Sequence, residues 1–451
     1  MWIARIDLSN FKAYQNQTFH FPKPNDGKNL VLIGGMNGHG KTTLLEALYL
    51  CLYGEDATHH LARAGLKENA YAKFLQGALH GSAQIGRASS MRVSIRLMVL
   101  DDYGFDVTRT WYFGTNRETN APARWLLNGR GYSPNVAIMG QAGSGKTRMM
   151  LKLLAQLREQ TGAPVLLIDA GKDELADRPE LARDLGAEVI KVPKAPIPLD
   201  MFAGSDAGLE SARDVAMDFC ASLDKALKDG LTDNQKPRVV EALKPLLAQR
   251  QRIPLADIQK TLEQHYEDNG IKEDRVLSSL RMMNQYSLFS PELTPVEFFG
   301  KSRILAFGGA PDESRRLALF LLFDALHRYL QTLPEAPMDA KFHRAVRLAV
   351  AIDEAKPLLA AKHDGLSKLV RLHRSHGLTV FMASQSPDDY EGQSDDYMEQ
   401  IGLPVCFKTN ATSTAVLNNM FKAKRGLNFS ALEPGTCLTV LDGAATRVIA
   451  F

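Results

Sequence analysis

Two stretches of the chain combine residue types at a spacing that could hold a nucleoside triphosphate: GMNGHGKT, from Gly35 to Thr42, and GQAGSGKT, from Gly140 to Thr147. In each, the glycines let successive backbone N–H groups turn inward around the β- and γ-phosphates. The lysine adds a point charge, and the final hydroxyl is placed to ligate Mg²⁺. The second loop offers Gly140, Gln141, Ala142, Gly143, Ser144, Gly145, Lys146 and Thr147 to ATP, with Arg148 following in the first helical turn. The first offers Asn37, Gly38, Gly40, Lys41, Thr42 and Thr43. Thr147 and Thr42 are the candidate metal ligands of the two loops.

Binding a triphosphate is not hydrolysing it. Hydrolysis also asks for an acidic pair on a neighbouring strand, one carboxylate for the Mg²⁺ shell and one to polarise water. The apolar run Leu348 to Ile352 ends in Asp353 and Glu354 and has the pattern of a buried central strand, which makes Asp353 the metal organiser and Glu354 the base. A rival pair, Asp101 and Asp102, closes RLMVLDDYGF. There Val93, Ile95, Leu97 and Val99 alternate, turn residues follow, and Phe105, Val107 and Trp111 resume, which predicts a half-exposed hairpin instead.

These groups need elements to position them. Each loop is preceded by a short apolar run, NLVLIGG or NVAIMG, and followed by apolar residues at helical spacing, TTLLEALYLCLYG or TRMMLKLLAQLRE. Strand, loop and helix are predicted at both, with the phosphates at a helix N-terminus. Beyond the second loop, VLLIDAGKDE, EVIKVP, RILAFGG, the acidic strand, TVFMASQSP and VCFKTN alternate with several helical segments, the rhythm of a mostly parallel sheet covered on both faces. TCLTVLDG and ATRVIAF complete its edge. Gln385 ends the strand after the acidic one, where it could sense the γ-phosphate or simply be solvated. Arg371 and Arg374 precede that strand and could reach a neighbouring subunit's site or simply close a surface helix. Between about residues 205 and 293 the composition turns helical and charged, a predicted insertion without catalytic residues.

Bulk properties bound the rest. In 451 residues, 54 basic side chains nearly balance 51 acidic ones, so DNA contact would have to come from local patches. The four cysteines form no C-x-x-C pair, which excludes a disulfide framework or a zinc site read from spacing. The charged start and the absence of a long apolar run predict a cytoplasmic protein with no membrane partner.

From about residue 131 to 451 the chain resembles the HerA/FtsK superfamily of ring-forming DNA-translocating ATPases, on NVAIMGQAGSGKT, LLIDAGKDE, the AIDE strand and RSHGLTVFMASQSP. That resemblance implies a RecA-like P-loop NTPase core using ATP and Mg²⁺, double-stranded DNA as partner, and a homo-oligomer, typically a hexameric ring. It also implies Glu354, Gln385 and Arg374 as base, sensor and trans-acting finger. Residues 1–130 are similar to something else: MWIARIDLSNFKAY resembles the start of Rad50/SMC-type ATPases, and the stretch around the first loop resembles DndD of DNA sulfur modification. In that family Asn10, Phe11 and Lys12 would lie by the nucleotide. This part is therefore expected to be a partial ABC/Rad50-like α/β lobe, since no coiled coil, serine-glycine loop or acidic strand of its own follows. Both resemblances imply work in DNA phosphorothioation or the restriction that depends on it, with sulfur-modification or restriction proteins as partners. Two alternatives stand beside the translocase: a nucleotide-dependent adaptor that recruits sulfur-modification proteins, and a non-functional recombinant of two neighbouring ATPase genes.

Overall fold

In a computed structural model, the residues described are 2–24, 30–34, 40–54, 57, 75, 78, 90–100, 103–112, 115–116, 133–203, 211–248, 252–339, 342–390, 397–410, 417–418, 420–421, 429–433, 435–441 and 444–450. Contacts divide the chain into two compact units. One comprises Met1–Arg124 with Leu151–Gln156 and Arg447–Phe451, the other Trp125–Met150 with Leu157–Thr446.

The first unit is built on an antiparallel sheet in the order β2-β1-β3-β4, from β1 (Trp2–Phe11), β2 (Tyr14–His20), β3 (Ser90–Leu100) and β4 (Tyr103–Tyr112), with helix α1 (Lys41–Tyr53) packed on β1, β3 and β4. A short β5 (Thr115–Asn116) follows. Ile6 and Leu8 on β1 face Ile95 and Val93 on β3 and are buried beneath Leu44, Ala47 and Leu50 of α1. The intervening Asp7, Arg92 and Ser94 stay at least partly exposed, as period-2 alternation requires. The β3–β4 pairing is antiparallel, so the hairpin expected around the rival acidic pair is present. Asp101 and Asp102 themselves lie outside the described residues.

The run before the first loop departs from expectation. Leu30 to Ile33 form no strand, and Leu30, Val31, Leu32 and Ile33 are 79%, 50%, 90% and 48% exposed. Consecutive apolar residues suit a strand flanked and covered on both faces. Among the described residues no strand pairs with them, and propensity alone does not make a strand.

In the second unit seven parallel strands run in the order β14-β6-β13-β12-β7-β11-β8: β6 (Asn135–Met139), β7 (Val165–Asp169), β8 (Glu188–Lys191), β11 (Arg303–Ala306), β12 (Leu348–Asp353), β13 (Leu378–Ser384) and β14 (Ile401–Cys406). The edge continues through β15 (Thr436–Leu441), antiparallel to β14, and β16 (Ala444–Ile449). A separate parallel pair joins β9 (Ile197–Leu199) to β10 (Phe289–Leu293). Helices α2 (Lys146–Thr161) and α3 (Pro179–Leu185) connect the early strands; α4 (Ala212–Ala226), α5 (Gln235–Leu247), α6 (Leu255–Asp268) and α7 (Arg275–Asn284) form the helical insertion; α8 (Pro295–Phe299), α9 (Asp312–Gln331), α10 (Lys356–Ala361) and α11 (Asp364–Leu372) complete the connections. This is an α/β fold with a mostly parallel sheet, as the apolar runs NVAIM, VLLID, LAVAI and LTVFMAS predict.

Two features sharpen the expectation. The acidic strand is not the immediate neighbour of the loop strand, because β13 lies between β12 and β6. The insertion shares its core with the rest of the unit: Val215, Phe219 and Leu223 of α4 belong to the same buried cluster as Leu317 and Phe320 of α9. Ser222 on α4 is buried with its hydroxyl hydrogen-bonded to Asp324 on α9 and 2.8 Å from His363 Nε2.

Candidate nucleotide site

The second loop leaves β6 at the C-terminal edge of the sheet, where parallel α/β folds place their ligands. Gly140, Gly143 and Gly145 have φ of 148°, 73° and 107°, a region that L side chains avoid. A Cβ on Gly140 would also stand 2.6 Å from Ser144 Oγ and 2.8 Å from Phe407 Cβ. The loop is tied down by the Gln141 N–H, which donates to the Lys408 carbonyl at 2.9 Å, and by the Ser144 N–H, which donates to the Gln141 carbonyl at 3.2 Å. Lys146 Nζ donates to the carbonyls of Gly140 at 2.7 Å and Gln141 at 3.1 Å. Burial lowers the pKa of this ammonium, against the pull of Asp353 and Glu354. The Ser144 hydroxyl is buried with no hydrogen-bond partner among the described residues. Ala142 and Arg148 are exposed at the loop and at the start of α2.

The acidic strand meets the loop where the Thr147 hydroxyl donates to Asp353 Oδ2 at 3.0 Å. Desolvation raises the Asp353 pKa, and the bond from Thr147 opposes it. Glu354 follows with φ of 57°, left-handed and strained for a glutamate. Its N–H donates to Asp353 Oδ1 at 3.1 Å and its carboxylate is exposed. Gln385, immediately after β13, is exposed at the same edge, between the ends of β6 and β12. A hydroxyl and a carboxylate 3.0 Å apart form the hard-oxygen set that suits Mg²⁺, which takes few protein ligands and several waters. The glycine cradle suits phosphates, so the residues present fit a magnesium nucleotide. Among the described residues no group of three or more His, Cys, Asp or Glu could hold a metal alone.

Arg371 and Arg374 stand at the other end of β13. Its seven residues place them about 20 Å from the loop edge of their own chain. One site residue escaped the sequence reading. Asp169 ends β7 opposite Asp353 and accepts the N–H groups of Lys172 at 3.1 Å and Leu175 at 3.0 Å. Burial pushes its pKa up to about 6. The signal was present, since VLLID is a buried strand ending in an acid, just as LAVAID is.

In the first unit Asn37 and Gly38 lie outside the described residues. Gly40 has φ of 89°, and a Cβ there would be 2.5 Å from the Tyr14 hydroxyl. Lys41 and Thr42 open α1, Thr43 is buried in its first turn, and among the described residues no carboxylate accepts from the Thr42 hydroxyl. Asn10 and Lys12 take left-handed backbone at φ of 54° and 45°, and Lys12 Nζ is 2.6 Å from Glu46 Oε2 on α1. All four cysteines are buried and none is in a disulfide. Among the described residues no helix is long and apolar enough to cross a membrane.

Comparison with known proteins finds several partial matches. Residues 5–120 match the AAA domain family. A stretch of 54 residues is 44% identical to the DNA replication and repair protein RecF of Acetivibrio thermocellus, covering 12% of this chain and 13% of that protein. The chain thus spans only a small part of the curated relative it matches. Among solved structures, VirB4 of Thermoanaerobacter pseudethanolicus superposes with a TM-score of 0.59 at 15% identity, over 74% of this chain and 95% of that one. The plasmid coupling protein TrwB, in complex with ADP and Mg²⁺, gives a TM-score of 0.48 at 15% identity, over 75% and 94% of the two chains. The fold is that of a P-loop NTPase.

Proposed function

We propose that the second unit is an ATP-hydrolysing motor that acts on double-stranded DNA, with ATP and Mg²⁺ as its cofactors. The observation that carries this reading is the 3.0 Å bond from Thr147 to Asp353, which joins the phosphate loop and the acidic strand in one site. Backbone N–H groups of Gly143 to Thr147 and the Lys146 ammonium bind the phosphates, and Thr147 with Asp353 would hold the ion. When bound, Mg²⁺ neutralises charge on the β- and γ-oxygens. Glu354 accepts the proton of the attacking water, and Gln385 monitors the γ-phosphate from the end of β13.

Arg374 stands at the opposite end of β13 from its own loop, so the finger role implied by the sequence resemblance would have to be played on a neighbouring subunit, in keeping with a homo-oligomeric ring, a hexamer on the HerA/FtsK pattern. The short RecF match supports a DNA-associated setting for this chain. DNA phosphorothioation, or restriction dependent on it, is the setting we infer from the sequence resemblances, with the proteins of that system as partners. The fold shared with VirB4 supports the motor reading at the level of architecture alone.

The test is ATP turnover with and without double-stranded DNA for the intact chain, Lys41→Ala and Lys146→Ala. A DNA-stimulated rate lost only in Lys146→Ala supports the reading; a rate indifferent to DNA removes the motor. A second reading, a nucleotide-dependent adaptor, is favoured by one observation, the exposed apolar run Leu30 to Ile33 in the first unit. An adaptor would still recruit its partners as Glu354→Gln, whereas a motor variant would bind nucleotide without turnover or movement.

A further inference from the structure

The turn that carries Arg374, between α11 and β13, is braced by a line of three imidazoles. His327 on α9 and His373 are both buried, and His327 Nδ1 is 2.6 Å from His373 Nε2. The other nitrogen of His373, Nδ1, is 3.2 Å from His376 Nδ1, which also lies 3.3 Å from the Ser375 hydroxyl. Burial pushes His327 down to about 3 and His373 down to about 4, and it lowers His376 as well. Arg328 and Lys368 facing His327 act in the same direction, as do Arg344 and Arg347 facing His376, where Glu335 opposes them. His373 is therefore neutral, with one N–H and one lone pair, so it donates at one end and accepts at the other. A side chain that does neither breaks the line.

Backbone bonds close the same turn. The N–H groups of His376 and Leu378 both donate to the His373 carbonyl at 3.1 Å, and the Gly377 N–H donates to the Arg374 carbonyl at 3.1 Å. Gly377 has φ of 82°, and a Cβ there would be 2.6 Å from the Ala345 carbonyl. The Ser375 carbonyl accepts the Ala336 N–H at 2.8 Å and a bond from Arg344 Nη1 at 3.1 Å, so the segment before β12 holds the turn from its other side. These bonds set the shape of the turn. The tie from His373 to α9, a helix buried over most of its length, sets where the turn stands against the core.

We propose that His373 and His376, anchored on His327, are positioning residues for Arg374: they hold the turn from which Arg374 reaches the γ-phosphate bound by a neighbouring subunit. The inference rests on the reading of Arg374 as a trans-acting finger. It requires the defect of a histidine variant to fall on the neighbour's site, since the variant's own phosphate loop lies at the opposite end of β13.

The experiment measures ATP turnover with double-stranded DNA, and affinity for a fluorescent ATP analogue, on the full chain. Each variant is assayed alone and in oligomers made by co-expression with Lys146→Ala chains. His373→Leu, which keeps the bulk and loses both nitrogens, should lower kcat by about 10–10²-fold with nucleotide affinity unchanged, the scale of a catalytic group displaced by about 1 Å. His373→Gln, whose amide can donate and accept, should recover most of the rate. In mixed oligomers the Lys146→Ala chains bring a well-placed Arg374 to the intact site of His373→Leu, so turnover should rise several-fold above the sum of the two alone. A general folding defect would gain nothing from mixing. Wild-type kcat in His373→Leu, a loss that mixing does not rescue, or an equal loss of nucleotide affinity overturns the proposal. If His373→Leu does not fold, the less buried His376→Phe decides by the same mixing. Arg374→Ala separates the two levels: if its turnover equals wild type, the finger reading fails whatever the histidines do.

Discussion

The two phosphate loops share a motif and differ in nearly everything around it. Both deliver a glycine in the left-handed region to the first residue of a helix, Gly40 before Lys41 and Gly145 before Lys146. The second is fed by a strand buried along its whole length, and its threonine reaches an acidic strand. The first is preceded by an exposed apolar run with no strand pairing, and no described carboxylate accepts from its threonine. Motif residues encode a phosphate cradle. Only the sheet beside the second cradle brings up the acidic pair Asp353 and Glu354, proposed as metal ligand and base, so among the described residues the two loops have unequal surroundings despite equal spelling.

The largest expected effect tests that inequality directly. Lys146→Ala should lower ATP turnover on the order of 10²–10³-fold, the cost of removing a principal charge from a phosphoryl-transfer site, while Lys41→Ala stays within about two-fold of wild type. Steady-state phosphate release decides it. Equal losses would mean that the first unit takes part in the chemistry and that the contrast drawn here fails. Next in size is Glu354→Gln, which should reduce kcat by about 10²-fold or more while nucleotide affinity is retained, as befits a base acting only in the chemical step. Loss of nucleotide affinity in that variant would make Glu354 part of the binding site instead.

Much of this contrast could be read from the sequence, and the exceptions have physical causes. NVAIM, LAVAID and LTVFMAS are continuous apolar runs, and their burial on both faces follows from that pattern alone. Leu30 to Ile33 carry the same pattern and form no strand: a strand also needs partners, none of which is found among the described residues, and a local pattern cannot report them. Asp353 was visible as a strand-ending acid. The tie from His327 to His373 was not, since it depends on which helix packs behind the turn before β13, a matter of topology. The buried set Ser222, Asp324 and His363 was hidden for the same reason: three residues from three distant segments look like ordinary helix and loop positions until α4, α9 and the turn before α11 are packed together.

That buried set gives a third prediction, about stability. Burial pushes His327 and His363 down to about 3 and His373 down to about 4. The unfolded chain takes up protons below the ordinary histidine value of about 6.5 that the folded chain refuses, so these groups remove stability as pH falls from about 6.5 toward 4. Asp324 works in the opposite sense. Burial raises it to about 7, so the folded chain keeps a proton that the unfolded chain gives up above about 4, and its contribution declines as pH rises from 4 to 7. Replacing one histidine isolates the first effect. His363→Gln should lose less Tm between pH 7.5 and pH 5, relative to its own value at pH 7.5, than wild type does, by up to about 1.4 kcal/mol per pH unit in stability. An identical pH slope in the two proteins would show that His363 protonates freely in the folded chain. No described histidine of the first unit is buried in this way, so acid should act on the second unit first.

The smallest effect probes the first unit. The sequence resemblance assigns Lys12 to a nucleotide, but its ammonium is 2.6 Å from the Glu46 carboxylate on α1, and the pair is only partly exposed. Its backbone N–H is engaged too, donating to the Ala78 carbonyl at 2.6 Å, so the residue pins the β1–β2 turn to the rest of the unit. If Lys12 serves the fold, Lys12→Met should cost about 0.5–1 kcal/mol in unfolding free energy, the scale of one partly exposed ion pair, and Glu46→Gln should cost about the same. A double variant should then cost little more than either single one, because both remove a single interaction. If Lys12 instead serves a nucleotide, Lys12→Met should leave stability unchanged without ligand and abolish the shift in Tm that ATP with Mg²⁺ produces in a Lys146→Ala background, where the second loop is silent. That comparison reads the first loop alone. A ligand-dependent shift that vanishes with Lys12 would show that the first loop holds a nucleotide even though no strand among the described residues pairs with Leu30 to Ile33.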